Sequence, residues 1–145
     1  MLISFLLCFP TSAQEAAAGP PINLQQGRTI RREISGKTID AYSMALTSAQ
    51  CAQLVVEQRG IDVVVQVVDE QNKVVAEFDA DMRPQGRENV IVAPHESTTY
   101  GVHIKPRYSR VSAGAYEIQL VEIRVATEQD RRLFEAHRLE PKPLH

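Results

Sequence analysis

A chain of 145 residues with 43% apolar side chains is long enough for one domain with a real core and short for two of ordinary size. Its formal net charge of -2 removes the basic field that recruits nucleic acid or an anionic membrane surface. No apolar run approaches the roughly 18 to 20 residues that a membrane-crossing helix requires.

Residues 1–13 read as a signal peptide. The run from Leu2 to Phe9 has the length of an apolar h-region, and Thr11, Ser12 and Ala13 are small residues at the expected cleavage point, although no Lys or Arg precedes the run. The expected localisation is therefore exported, periplasmic or extracellular. Cleavage after Ala13 removes Cys8 and leaves Cys51 alone, so the mature chain has neither an internal disulfide nor a cysteine metal cluster. Residues 14–26 are rich in Ala, Pro and Gln without a period and read as a mobile leader.

From residue 27 the pattern is that of short strands. Residues 29–34 form the first, a Ser35-Gly36-Lys37 turn follows, and residues 39–46 place Tyr42, Met44 and Leu46 on one face. Two valine-rich runs meet at Gly60. Ala52, Leu54 and Val56 share a face in the first, and Ile61, Val63, Val65 and Val67 share one in the second, so the inward parity changes at a residue free to adopt positive φ. Asp69-Glu70-Gln71-Asn72 reads as a hairpin loop leading to a strand over 73–78. Further strands are expected over 88–93, 98–105 and 115–125, the last with a bulge near Leu120, where its apolar parity shifts to Val121, Ile123 and Val125. The spacing then predicts a helix over 128–139, opened by a Thr127/Asp130 capping box and stopped by Pro141 and Pro143.

Eight short strands, all antiparallel, predict an all-β two-sheet sandwich of jelly-roll type over 27–125. The helix and tail over 126–145 are expected as an appendage.

The string Glu57-Gln58-Arg59-Gly60-Ile61-Asp62 and the exit Arg124-Val125-Ala126-Thr127-Glu128-Gln129-Asp130-Arg131 resemble the N-terminal sandwich of bacterial proteins that continue into tetratricopeptide repeats and a CHAT-type peptidase domain. That sandwich is similar to pre-peptidase C-terminal domains. The resemblance covers residues 27–132. It implies an accessory, non-enzymatic module beside a repeat array, whose first piece would be the predicted helix, and a protein partner or adjacent repeat domain. No position matches the peptidase Cys and His of longer relatives.

Candidate chemistry is sparse. Cys51 with His95, His103 or His137 would be needed for a thiol nucleophile, but Cys51 opens a core strand. His95, Glu96 and His103 are spaced poorly for zinc. Asp69, Glu70, Asp79 and Asp81 supply loop oxygens that suit calcium, without the Asp-x-Asp-x-Asp-Gly pattern. Glu57, Arg59 and Asp62 could form a recognition patch, although an Arg59–Asp62 ion pair across the turn is the simpler expectation. Tyr108, beside Arg107 and Arg110, is the tyrosine placed to meet a ligand. No catalytic, cofactor or metal residue is assigned. The expected function is an exported interaction or spacer module. The alternative is a stand-alone sandwich that binds carbohydrate, matrix protein or calcium through residues 79–87 and 106–114.

Overall fold

The computed structural model describes residues 19–79, 83, 85–110 and 112–139. The expected signal peptide and the Asp81 candidate lie outside them. Among the described residues, nine strands and one helix follow in order: β1 Ile22–Asn23, β2 Thr29–Ile34, β3 Asp40–Leu46, β4 Gln50–Arg59, β5 Val63–Val68, β6 Val74–Phe78, β7 Arg87–Val92, β8 Thr98–Pro106, β9 Gly114–Val125 and α1 Glu128–His137. They form a five-stranded sheet, β1-β3-β8-β5-β6, facing a four-stranded sheet, β2-β9-β4-β7. Leaving β1 aside, each sheet alternates strands from the two halves of the chain, which is the jelly-roll arrangement that the strand spacing predicts.

Alternation explains the core. Tyr42, Met44 and Leu46 of β3 and Val63, Val65 and Val67 of β5 meet Leu54 and Val56 of β4 and Tyr116, Ile118 and Leu120 of β9, all buried in one cluster. Gly60 sits at φ 104°, as the parity change requires. The bulge in β9 is real. Gln53 pairs with Glu122 but Leu54 with Leu120, so Val121 is the extra residue. Within β9 beyond it, Ile123 packs on the core, whereas Val125 is 76% exposed, so the expected second inward run in this strand is one residue.

Two expectations need correction. The leader is not mobile to Gln26: Ile22–Asn23 pairs with β3, in parallel rather than antiparallel, and Leu24 is buried in the core. Gln26 Oε1 accepts from the Ile123 N–H and the Gly27 N–H donates to Leu120 O. Two alternating apolar residues in a Pro- and Gln-rich stretch are too short a signal to read as a strand.

The helix is also no appendage. Its capping box forms as expected, with the Asp130 N–H donating to Thr127 Oγ1 at 3.2 Å and the Thr127 N–H to Asp130 Oδ2 at 2.8 Å. It then lies against β6 and β7, the edge strands of the two sheets, and buries Phe134 between them. The His137 ring stacks on Phe78 at 4.2 Å between centroids, and the Leu139 N–H donates to Val75 O at 3.0 Å. It closes one open side of the sandwich.

Candidate functional site

Asp79 and Arg107, one from each of the two loops singled out in the sequence, come together at one end of the sandwich. The Pro106 to Asp62 neighbourhood is fixed first, because the Arg107 N–H donates to Asp62 O at 3.0 Å. The Arg107 guanidinium then forms an ion pair with Asp79, donates from Nε to the Tyr108 hydroxyl at 3.1 Å, and stands 5.6 Å from the Tyr108 ring centre. One arginine thus holds both loops. Tyr108 remains 54% exposed, beside the exposed Arg110.

The floor below this end is rigid. Gln58, buried on β4, accepts from the Val63 N–H at 2.6 Å and donates to Arg83 O at 2.9 Å, tying β5 and the 83–86 turn to the same side chain. At Gly114 a Cβ would stand 2.6 Å from Ile61 Cβ and 2.7 Å from Gly60 O, so β9 begins in direct backbone contact with the Gly60 turn. Buried Glu88 and largely buried Asp62 complete an end rich in charge.

The remaining candidates are dispersed. Cys51 is fully buried, and burial, with the nearby Asp130 carboxylate, pushes its thiol up to about 11, the opposite of an activated nucleophile. His95 Nε2 lies 2.7 Å from Glu135 Oε1, latching the loop after β7 to α1, and burial lowers the pKa of His103 on the other sheet. Asp69 Oδ1 accepts the Gln71 and Lys73 N–H groups, both at 2.9 Å, and is therefore a turn-forming group. Among the described residues no group of three acidic, His or Cys side chains is arranged to hold a metal ion.

Arg59 is engaged on its own strand face, with Glu57 and Glu117. A strand turns residues two apart to the same face, so Arg59 meets Glu57 at 2.8 Å and Glu117 at 3.7 Å on the exterior of the four-stranded sheet. The register makes a cross-strand row of Arg31, Glu117, Glu57 and Arg87, in which arginines flank two facing carboxylates. Arg87 in turn lowers the pKa of Glu57.

Two polar clusters were invisible in the sequence. Tyr116 donates to Asp40 Oδ2 at 2.6 Å, and its oxygen lies 2.6 Å from the Tyr42 hydroxyl, joining the sheets through the core. Arg124 forks onto both carboxylate oxygens of Asp130, which hold well below the usual carboxylate range in consequence. A cleft of about 280 Å³ lies between the β5–β6 hairpin and α1, lined by Lys73, Val75, His95, Tyr100, Phe134 and Arg138.

No protein-family model matches the chain and no curated protein is similar to it in sequence. Solved structures do match. The pre-peptidase C-terminal domain of a collagenase from Bacillus anthracis superposes with a TM-score of 0.57 at 16% identity, over 75% of this chain and 99% of that domain. PliG of Aeromonas hydrophila, a periplasmic inhibitor of g-type lysozyme, superposes with a TM-score of 0.54 at 13% identity, over 68% of this chain and 91% of that protein. At such identities the likeness concerns the fold, and both are β-sandwich structures.

Proposed function

We propose that the chain is an exported, non-catalytic sandwich that recognises a partner with the end marked by Asp79, Arg107 and Tyr108. The observation that carries this is Arg107, which joins the two loops through Asp79 and presents Tyr108 at the surface. An exposed aromatic ring with neighbouring arginines, set on a rigid β floor, is the composition of a binding hot spot. The disarmed Cys51 thiol supports a role without nucleophilic chemistry. Export is supported by the apolar run over residues 2–9 and is in keeping with the periplasmic inhibitor and the collagenase domain that share the fold.

A second reading places this sandwich beside a tetratricopeptide-repeat scaffold, as in CHAT-domain proteins. It is favoured by Leu133 and Leu139, 43% and 48% exposed around α1, where a following helix could pack. Intact mass of the native product, taken separately from cytoplasmic and exported fractions, tests both. An exported species near 16.2 kDa less the thirteen residues of the expected signal peptide supports a free-standing module. A much larger species supports the repeat-associated reading, and an uncleaved chain confined to the cytoplasm refutes export.

A further inference from the structure

Three of the four sheet edges have neighbours or little length. The β6 edge receives the exit of α1, where Ala76 and Arg138 form an antiparallel bridge. The β7 edge lies against α1, and β1 is two residues long. β2 differs: it is six residues long, pairs with β9 on one side, and among the described residues no strand lies on the other. In an antiparallel ladder every second residue turns its N–H and C=O away from its partner, so β2 offers a row of backbone groups to an incoming strand.

The side chains define what would fit. Ile30 and Ile34 face the core side, and Arg32 between them lines a recess of about 240 Å³ with Ile22, Asp40 and Tyr42. Arg32 forms no ion pair among the described residues. On the exterior face, the row Arg87–Glu57–Glu117–Arg31 ends at this edge on a cation whose side chain is 64% exposed. Two adjacent arginines therefore point to opposite faces of one open edge. A second copy pairing antiparallel through a two-fold axis at the strand centre would set Arg31 opposite its own counterpart, or Arg32 opposite its own, a like-charge contact that disfavours self-association.

We infer that β2 is the docking edge for an extended segment of another protein carrying two adjacent carboxylates flanked by β-branched residues, added antiparallel as a fifth strand beside Arg31 and Arg32. One carboxylate continues the exterior charge row, and the other meets Arg32, which has no ion-pair partner among the described residues. The β-branched residues continue the apolar lines of Ile30 and Ile34.

The test is fluorescence anisotropy of a fluorescein-labelled Val-Thr-Glu-Glu-Val-Thr peptide titrated with the full chain. Saturable binding that weakens with salt is expected. Replacing Glu-Glu by Lys-Lys, or both Thr and the second Val neighbours by Pro so that the peptide cannot extend the ladder, should abolish it. An Arg31→Glu/Arg32→Glu chain should bind the acidic peptide roughly tenfold less tightly and gain affinity for the Lys-Lys peptide. The Pro comparison needs only the unaltered chain, so a misfolded variant does not blunt the test. Tyr108→Ala should leave this binding unchanged, which separates it from recognition at the loop end. Absence of saturable binding, equal binding of the Pro peptide, or a dimer disrupted by Arg31→Glu/Arg32→Glu in sedimentation would overturn the inference.

Discussion

Tyr116→Phe removes a single oxygen and interrogates the contact that joins the two sheets. Tyr116 has one hydroxyl proton, directed to Asp40 Oδ2 at 2.6 Å, so the 2.6 Å contact with Tyr42 has Tyr42 as donor. Loss of the oxygen deprives the Asp40 carboxylate of its donor and Tyr42 of its acceptor. Asp40 is half-buried beside a recess that water can enter, which puts its loss at the low end for a charged bond, about 1.5 kcal/mol; the stranded Tyr42 hydroxyl adds about 1 kcal/mol. The total of about 2.5 kcal/mol lowers the melting temperature of a domain of ~120 residues by ~10 °C, taking an unfolding entropy of ~2.1 cal/mol/K per residue. Tyr42→Phe keeps the Tyr116–Asp40 bond and should cost only about 1 kcal/mol. Urea unfolding followed by circular dichroism measures both. Burial and the Asp40 carboxylate raise the Tyr116 pKa above its ordinary 10.0, so the folded state retains this proton longer than the unfolded chain. Its contribution is complete below pH 10 and is lost as pH rises beyond it, a decline that Tyr116→Phe should flatten. Equal losses for the two variants, or less than about 1 kcal/mol for Tyr116→Phe, would refute this hydrogen-bond assignment.

Other consequences follow from single contacts. In a Cys8→Ser chain, Cys51 should react with a disulfide reagent at pH 8 only as fast as the fold opens, and at once in denaturant; fast labelling of the native form would contradict a thiol raised to about 11. Asp130→Ala removes the capping box and the Arg124 fork, and should cost about 2 kcal/mol and accelerate hydrogen exchange at the Leu139 amide. Because Arg124 depresses the Asp130 pKa below its ordinary 3.8, this contribution holds above that value and fades as pH falls below it. Calcium at millimolar levels should leave the melting temperature unchanged, since Asp69 is committed to its turn and Asp79 to Arg107. Gly114→Ala should destabilise the fold by roughly 2 kcal/mol or more through its clash with Gly60, read from the same urea curves.

The period of two made the sheets legible. Apolar residues at alternate positions located β3 to β9 within a few residues, and the glycine between two valine runs marked the parity change. Strand length limited the rest, as β1 offers too few residues for a period to register. The docking of α1 was hidden for another reason. Its apolar stripe is essentially Phe134, and its hold on the sandwich comes from Arg131 donating to Pro94 O and Ser48 O, from His95 with Glu135, and from His137 on Phe78. Such contacts depend on tertiary placement and leave no local pattern. The same holds at the loop end: composition singled out both loops and Tyr108, but only the fold brings Asp79 to Arg107.

The measurement that bears most directly on the proposed role is site-specific photo-crosslinking in whole cells, with the probe at position 108 and, separately, at the exposed Glu70 of the β5–β6 hairpin. Recognition by the loop end predicts one discrete protein or glycan adduct from position 108, absent from position 70 and lost on Arg107→Ala. Indiscriminate labelling at both positions, or an adduct at 108 that survives Arg107→Ala, would contradict it.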